Sequence, residues 1–565
     1  MAEAALGLFG APAKGKVGED LPKGYENDDP SKHMPKRRAG ILLHPTSLPG
    51  PNGVGEFGDE AFKFIDWLKT TGCTVWQVLP LVPPGRKSGE DGSPYAGQDA
   101  NCGNTLLISL DKLVDEGLLE KSDLPKPMPV KRIDYSALVK LKDPILAKAA
   151  KNLLSKGGKL KKEMEQFRKE PTISGWLEDA ALFAAIDQAE DKEFWWEWSA
   201  PLRDRDPKAL KDARKQHAQF IDEFVAQQFL FQRQWLALKK YANEAGISIM
   251  GDMPIYVGGH SADVWANRKS FALDKETGKP AAVSGVPPDA FSATGQLWGS
   301  PLYNWKAMEK DNYAWWAQRM KRAFNLYDEF RIDHFRGLAG YWAIDAEETT
   351  AMNGTWKMGP RMKFFEAIKK AVGKIDIVAE DLGVITTDVV QLRQAIQAPG
   401  MSVLLFAFGG DSRNPHLPHN HETNQVVYPG THDNDTVLGW WQKAGEKEKT
   451  HVKEYFGLQS DDDISHAFIR AAVASVARTA MFSLQDVLQL DNSARMNTPA
   501  VQLGNWGWRV GESGTFDKLK DEAAFLRKVL AYYNRSPELE EAKEEIKSDK
   551  TEIVEDKDGL LQVTA

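Results

Sequence analysis

The chain has 565 residues, 42% hydrophobic and 27% charged, a composition of ordinary globular proteins with enough length for a large core. Its 72 basic and 80 acidic residues leave a formal charge of −8, which argues against a broad nucleic-acid-binding face, and no apolar run is long enough to span a membrane. Two cysteines, Cys73 and Cys102, exclude a disulfide scaffold and point to a reducing compartment. The unusual feature is 18 tryptophans, many beside Gly, Asn, Asp and Gln, whose flat faces suit sugar rings and ordinary interfaces alike.

Residues 1–36 lack periodicity and read as a flexible tail, without the apolar segment of a secretory signal. Order begins with the buried-strand pattern of Arg38 to His44, followed by a helix over Glu60 to Thr70 closed by Gly72 and a second strand at Cys73 to Pro80. Strand, helix, strand without a hairpin turn predicts a parallel sheet. From 106 to 246 the pattern is mainly helical and Lys-rich, a long insertion whose aromatic cluster Phe194–Trp198 packs it onto the main body. A third strand covers Ile247 to Val257. The segment 285–300 is a long irregular loop whose aromatic content favours an ordered lid. Further strands are predicted at Phe330 to Leu338, Ile375 to Leu382, Ser402 to Phe408, Val426 to Thr436 and Ala480 to Leu484. Helices fall at Met362 to Val372, Thr387 to Gln397 and Ser465 to Arg478. Residues 537–565 read as a charged helix and tail.

Eight strands alternating with helices predict an α/β fold, a (β/α)8 TIM barrel spanning 37–536 with helical and loop insertions. In such a barrel the chemistry sits at the C-terminal strand ends, and four acids fall there: Asp252, Asp333, Glu380 and Asp433. Within Phe330–Leu338 (FRIDHFRGL), Asp333 lies between Arg331 and Arg336 and is either a salt-bridge hub or a nucleophile. Acids meeting on one rim repel, so one of them tends to keep its proton, as glycoside chemistry requires.

The motifs FRIDHFR (330–336), VAEDLG (378–383) and GTHDNDT (430–436) resemble the catalytic signatures of the 4-alpha-glucanotransferases, or amylomaltases, of the alpha-amylase superfamily. The segments HPTSLPG (44–50) and 285–298 are similar to that family too, and 93–104 resembles its plant and algal plastid members. The resemblance implies Asp333 as nucleophile, Glu380 as general acid and base, and Asp433 as the group that holds the distorted sugar. It implies that Arg331 keeps Asp333 ionised, with His334, His432, Tyr95, Asp252, Trp298 and Asn497 binding substrate, and Asn505 and Trp506 near the same cleft. It further implies alpha-1,4-glucans and malto-oligosaccharides as partners, no cofactor, no metal, a homodimer and the plastid stroma. The residues themselves leave open a retaining hydrolase, or a binding barrel without chemistry. His416, His419 and His421 have metal-ligand chemistry, but two prolines and no helix space them, so a polar loop is the better reading.

Overall fold

The structure is a computed structural model. It describes residues 36–537 except 85–91, 96, 98, 129–130, 157, 289–291, 462 and 502, together with the backbone of 553–555 and 561–563. The N-terminal unit, Met1–Arg37, and with it the expected tail, lies almost wholly outside the described residues.

Eight parallel strands form the barrel: β1 (Arg38–Leu42), β2 (Val75–Gln77), β3 (Ser248–Pro254), β4 (Glu329–Asp333), β5 (Ile377–Ala379), β6 (Gly400–Val403), β7 (Gln425–Tyr428) and β8 (Thr479–Ser483). They pair in sequence order, and β8 returns to β1 with Arg38 opposite Thr479. The remaining seam, between β5 and β6, is drawn together by the Ala379 N–H donating to Pro399 O at 2.9 Å. Asp381 completes it by accepting from the Met401 N–H at 2.7 Å. Position 400 must be glycine for this contact, because a Cβ there would lie 2.4 Å from the Asp381 carboxylate. Strand interiors such as Ile41, Phe330 and Ile332 are fully buried, which is why these segments read as short continuous apolar runs.

The expected helices occur at Asp59–Thr71, Arg361–Val372, Thr387–Ala395 and Ile464–Ala474. The first buries Phe64, Ile65, Trp67 and Leu68 and ends on Gly72 in the left-handed conformation.

The segment 106–246 is mainly helical. Its last helix, Ala218–Glu244, also serves the barrel wall: Trp235 packs on Trp76 and Tyr327, and its indole donates to Leu326 O at 2.9 Å. The cluster at 194–198 does staple insertion to barrel. Trp195 is fully buried and donates to Gly259 O at 2.9 Å, while Trp198 packs on Trp265. A second tether is the buried ion pair of Lys142 in the insertion with Glu56.

Two expectations change. The segment 285–300 is a β-hairpin rather than an irregular loop. Its strands Ala282–Val286 and Gln296–Pro301 join Gly340–Asp345 and Gly354–Met358 in a four-stranded antiparallel sheet. Its Gly- and Pro-rich sequence hides the pairing because the partner strand, which sets Trp342 against Gly285, is remote in sequence. At the C-terminus, Ile553–Glu555 and Leu561–Val563 pair as an antiparallel ladder where a helix was expected; the rest of that segment lies outside the described residues.

Burial pushes the Lys142 ammonium down and the Glu56 carboxyl up, and each opposes the other's shift by pairing. Removing one partner leaves the other charge buried and uncompensated. Lys142→Met should therefore cost about 3–5 kcal/mol, read as a fall in thermal midpoint, and Lys142→Met with Glu56→Leu should recover most of it.

Candidate active site

The floor of the site follows from strand register. Asp252 on β3 stands opposite Arg331 on β4, so their side chains share one face. The Arg331 guanidinium holds both Asp252 oxygens, at 3.1 and 2.9 Å, and reaches Asp333 at 2.9 Å. Asp333 is two residues further along the same strand and therefore on the same face. The Asp252 side chain is wholly buried, whereas Asp333 keeps 34% of its side chain open to the cleft. Asp252 thus lies beneath the surface that a substrate would touch and acts as the anchor of Arg331.

The Tyr95 hydroxyl donates to Asp252 at 2.6 Å and lies 3.0 Å from Nε2 of His432, with the two rings stacked. With the Tyr95 proton directed at Asp252, the pattern assigns a proton to His432 Nε2, which also lies 3.3 Å from Asp433. Asp433 accepts from Asn497 Nδ2 at 2.7 Å, and the Asn497 N–H donates to His432 O at 3.1 Å.

Glu380 follows β5. Its two carboxylate oxygens accept from the backbone N–H groups of Leu382, at 2.9 Å, and His334, at 2.8 Å. The second bond exists because His334 turns into the left-handed conformation, φ 56°, directly after β4. The turn also sets the His334 ring edge-on to Trp298 at 4.7 Å, with Tyr256 beside both.

Four carboxyl groups gather here, two of them, Asp252 and Asp333, in direct contact with the one guanidinium. Burial pushes the Asp333 and Glu380 carboxyls upward, with Arg331 opposing and the other acids adding to the rise at Asp333. The expectation that Arg331 keeps Asp333 ionised meets a competing pull: the guanidinium is shared with Asp252, and the cluster holds a proton more firmly than a free carboxyl would. Asp333 makes the direct ion pair with Arg331, and it shares the raised proton affinity of the cluster with Glu380. Burial lowers His432 and takes His334 down to about 3, so both imidazoles are neutral near pH 7.

The structure thus brings together Tyr95, Asp252, Arg331, Asp333, His334, Glu380, His432, Asp433 and Asn497, with Trp298 at the open rim. Trp506 packs behind Tyr95 and His432. Asn505 does not join them; its amide is tied to the backbone of Thr498 and Val501. Arg336 donates to Val384 O at 2.6 Å. The three loop histidines are engaged in local hydrogen bonds: His416 with Val403 N–H, His419 with Tyr455, and His421 with Ser475.

Sequence reading missed Tyr256, Asp435 and Arg495. Arg495 donates to Asp433 O at 2.7 Å and to Asn497 O at 2.8 Å, and pairs with Asp435, so one guanidinium joins both loops. Asp435 lies inside the GTHDNDT motif and was within reach of a sequence argument. Arg495 has no local signal, because the loop it ties to Asn497 contributes Asp433 and Asp435, 62 and 60 residues away in sequence.

A (β/α)8 barrel that gathers three acids around a buried guanidinium at the C-terminal strand ends is, as a class, a barrel enzyme suited to carboxylate chemistry on a sugar bond. The chain belongs to the 4-alpha-glucanotransferase family, whose profile matches residues 43–513. It is 62% identical over 520 residues to the chloroplastic/amyloplastic 4-alpha-glucanotransferase DPE1 of Oryza sativa subsp. japonica, covering 92% of this chain and 87% of that one. Identity to the chloroplastic/amyloplastic enzyme of Solanum tuberosum is 59%, over 93% of this chain and 91% of the other. Among solved structures, the amylomaltase from Streptococcus agalactiae in complex with acarbose superposes with a TM-score of 0.84 at 36% identity, over 89% of this chain and all of that one.

The Asp435–Arg495 clamp makes a specific prediction. Arg495→Lys keeps the charge but loses the fork that reaches both carbonyls. Both Arg495→Lys and Asp435→Asn should lower kcat about 10- to 100-fold with little change in KM, measured by glucose release from maltotriose.

Proposed function

We propose that the chain transfers a segment of an alpha-1,4-glucan to the 4-hydroxyl of an acceptor glucose or glucan, through a covalent glucosyl-enzyme, with retention of configuration. The observation that carries this reading is the convergence of Asp333, Glu380 and Asp433 from three different strand ends onto one guanidinium-centred rim, in a chain of the 4-alpha-glucanotransferase family.

In the first displacement an Asp333 oxygen attacks the anomeric carbon, the bond to the leaving O4 breaks, and Glu380 gives that oxygen its proton. In the second, the acceptor 4-hydroxyl loses its proton to the Glu380 carboxylate and attacks the same carbon, and Asp333 leaves. Two inversions give retention. Arg331 holds Asp333 aimed and charged. The His334 N–H and Leu382 N–H groups fix the Glu380 carboxyl in place. Asp433, oriented by Asn497 and backed by His432, binds the ring hydroxyls whose hydrogen bonds strengthen as the sugar flattens. Tyr95 and Trp298 offer aromatic faces to the sugars, and the neutral imidazoles of His334 and His432 donate hydrogen bonds. The hairpin strand Gln296–Pro301 sets Trp298 against His334 at the rim, and in this reading it favours a sugar acceptor over water. Malto-oligosaccharides are the substrates of this reading. The plastid stroma follows from the plant relatives, whose names are chloroplastic/amyloplastic. A homodimer belongs to the same reading, and sedimentation of the purified chain tests it.

Incubation with maltotriose should produce glucose and a ladder of longer glucans. Glucose and maltose with no longer product would instead identify a hydrolase. Asp333→Asn should lower turnover on the order of 10⁴-fold while glucan binding persists.

The pH profile follows from the direction of the Glu380 shift. Burial raises its carboxyl above the ordinary carboxylate range, so the acid stays protonated to higher pH, and kcat/KM falls as pH rises through that raised value. In Glu380→Gln the alkaline limb should vanish along with most of the rate on unactivated glucans. An unchanged alkaline limb would assign the titration to another group.

A further inference from the structure

The rim beside Asp333 and Glu380 carries an apolar patch that the mechanism does not use. Arg336 sits three residues after Asp333, and its guanidinium lies 4.1 Å over the ring of Trp356. The same guanidinium donates to the carbonyl of Val384, four residues after Glu380, at 2.6 Å. One arginine therefore ties Trp356 to both loops that bear the reacting carboxyls. Trp356 is in the edge strand Gly354–Met358, in register with Trp342, their rings 5.3 Å apart and near edge-on. Trp342 faces a small apolar cluster of Val283, Ile344 and Ala351 and donates to Ala351 O at 2.9 Å. Trp356 is not part of that cluster. It is 47% exposed, and its neighbours on the patch, Met358 and Val384, are about 70% exposed.

A half-open indole held in one orientation by a cation is what the apolar face of a pyranose ring stacks on, and the adjoining guanidinium offers donors to its hydroxyls. The patch is also small. Three side chains, the largest kind burying about 150–250 Å², fall short of the ~800 Å² per partner of a stable protein interface.

We propose that Trp356, held by Arg336, is a sugar-stacking platform for the part of a long alpha-1,4-glucan that extends beyond the reacting bond, so that this rim sets the preference for longer chains. The proposal rests on the transferase reading above only for the chemical class of the ligand.

The test uses the full chain carrying Asp333→Asn, with maltotriose and maltoheptaose binding measured by calorimetry. Adding Trp356→Ala should weaken maltoheptaose about 3- to 10-fold and reduce the affinity ratio of maltoheptaose over maltotriose by a similar factor. Trp356→Phe should retain most of that ratio. An unchanged ratio, whether through no effect or through equal loss for both lengths, overturns the platform. A fall in sedimentation mass with Trp356→Ala overturns it too, assigning the patch to a second copy. Should Trp356→Ala fail to fold, Met358→Ser with Val384→Ser removes the flanks of the same patch, and the same ratio is read. Residual turnover by Asp333→Asn alone would count against the nucleophile assignment and leave the affinity ratio to judge Trp356 separately.

Discussion

Arg331 is the interaction on which the site depends. A guanidinium buried in a barrel needs compensating charge, and strand register supplies it by placing Asp252 opposite. The pair is then rigid and already desolvated, so the remaining guanidinium edge is fixed where it meets Asp333 at the cleft surface. Tyr95 satisfies the same Asp252 and passes the constraint to His432 and from there to Asp433. One buried charge thus positions residues from three barrel strands or the loops after them, together with a residue from the loop after β2.

The upper half of the site is held differently. Glu380 is aimed by backbone N–H groups, and one of these is available only because His334 takes a left-handed turn. Asp433 and Asn497 lie on loops with no regular structure, and Arg495 makes up for this by tying their backbone carbonyls together. Strand geometry places the nucleophile candidate, while loop clamps place its two partners. Clamped loops are the part of a barrel free to vary without disturbing the strands.

Electrostatics pulls against geometry here. Burial and crowding raise both carboxyls, and Arg331 opposes the rise in each without reversing it.

The sequence alone determined the barrel: all eight strands overlap the apolar runs and the four helices named between them overlap the helical periodicity, because burial on both faces leaves a local signature, although several strands end earlier than the runs suggest. It also placed the acids at strand ends and, through three short motifs, the family. Tertiary structure decided what no local pattern encodes. Asp252 proved to be a buried anchor because β3 and β4 pair in one register and not another. The hairpin strands Ala282–Val286 and Gln296–Pro301 are held in a sheet because a third strand, Gly340–Asp345, remote in sequence, pairs with the first of them. Arg495 entered the site because a long, forked side chain reaches carbonyls that sequence distance conceals. The rule in each case is that local periodicity reports burial, while the charge state and aim of a buried group depend on neighbours brought together only by folding.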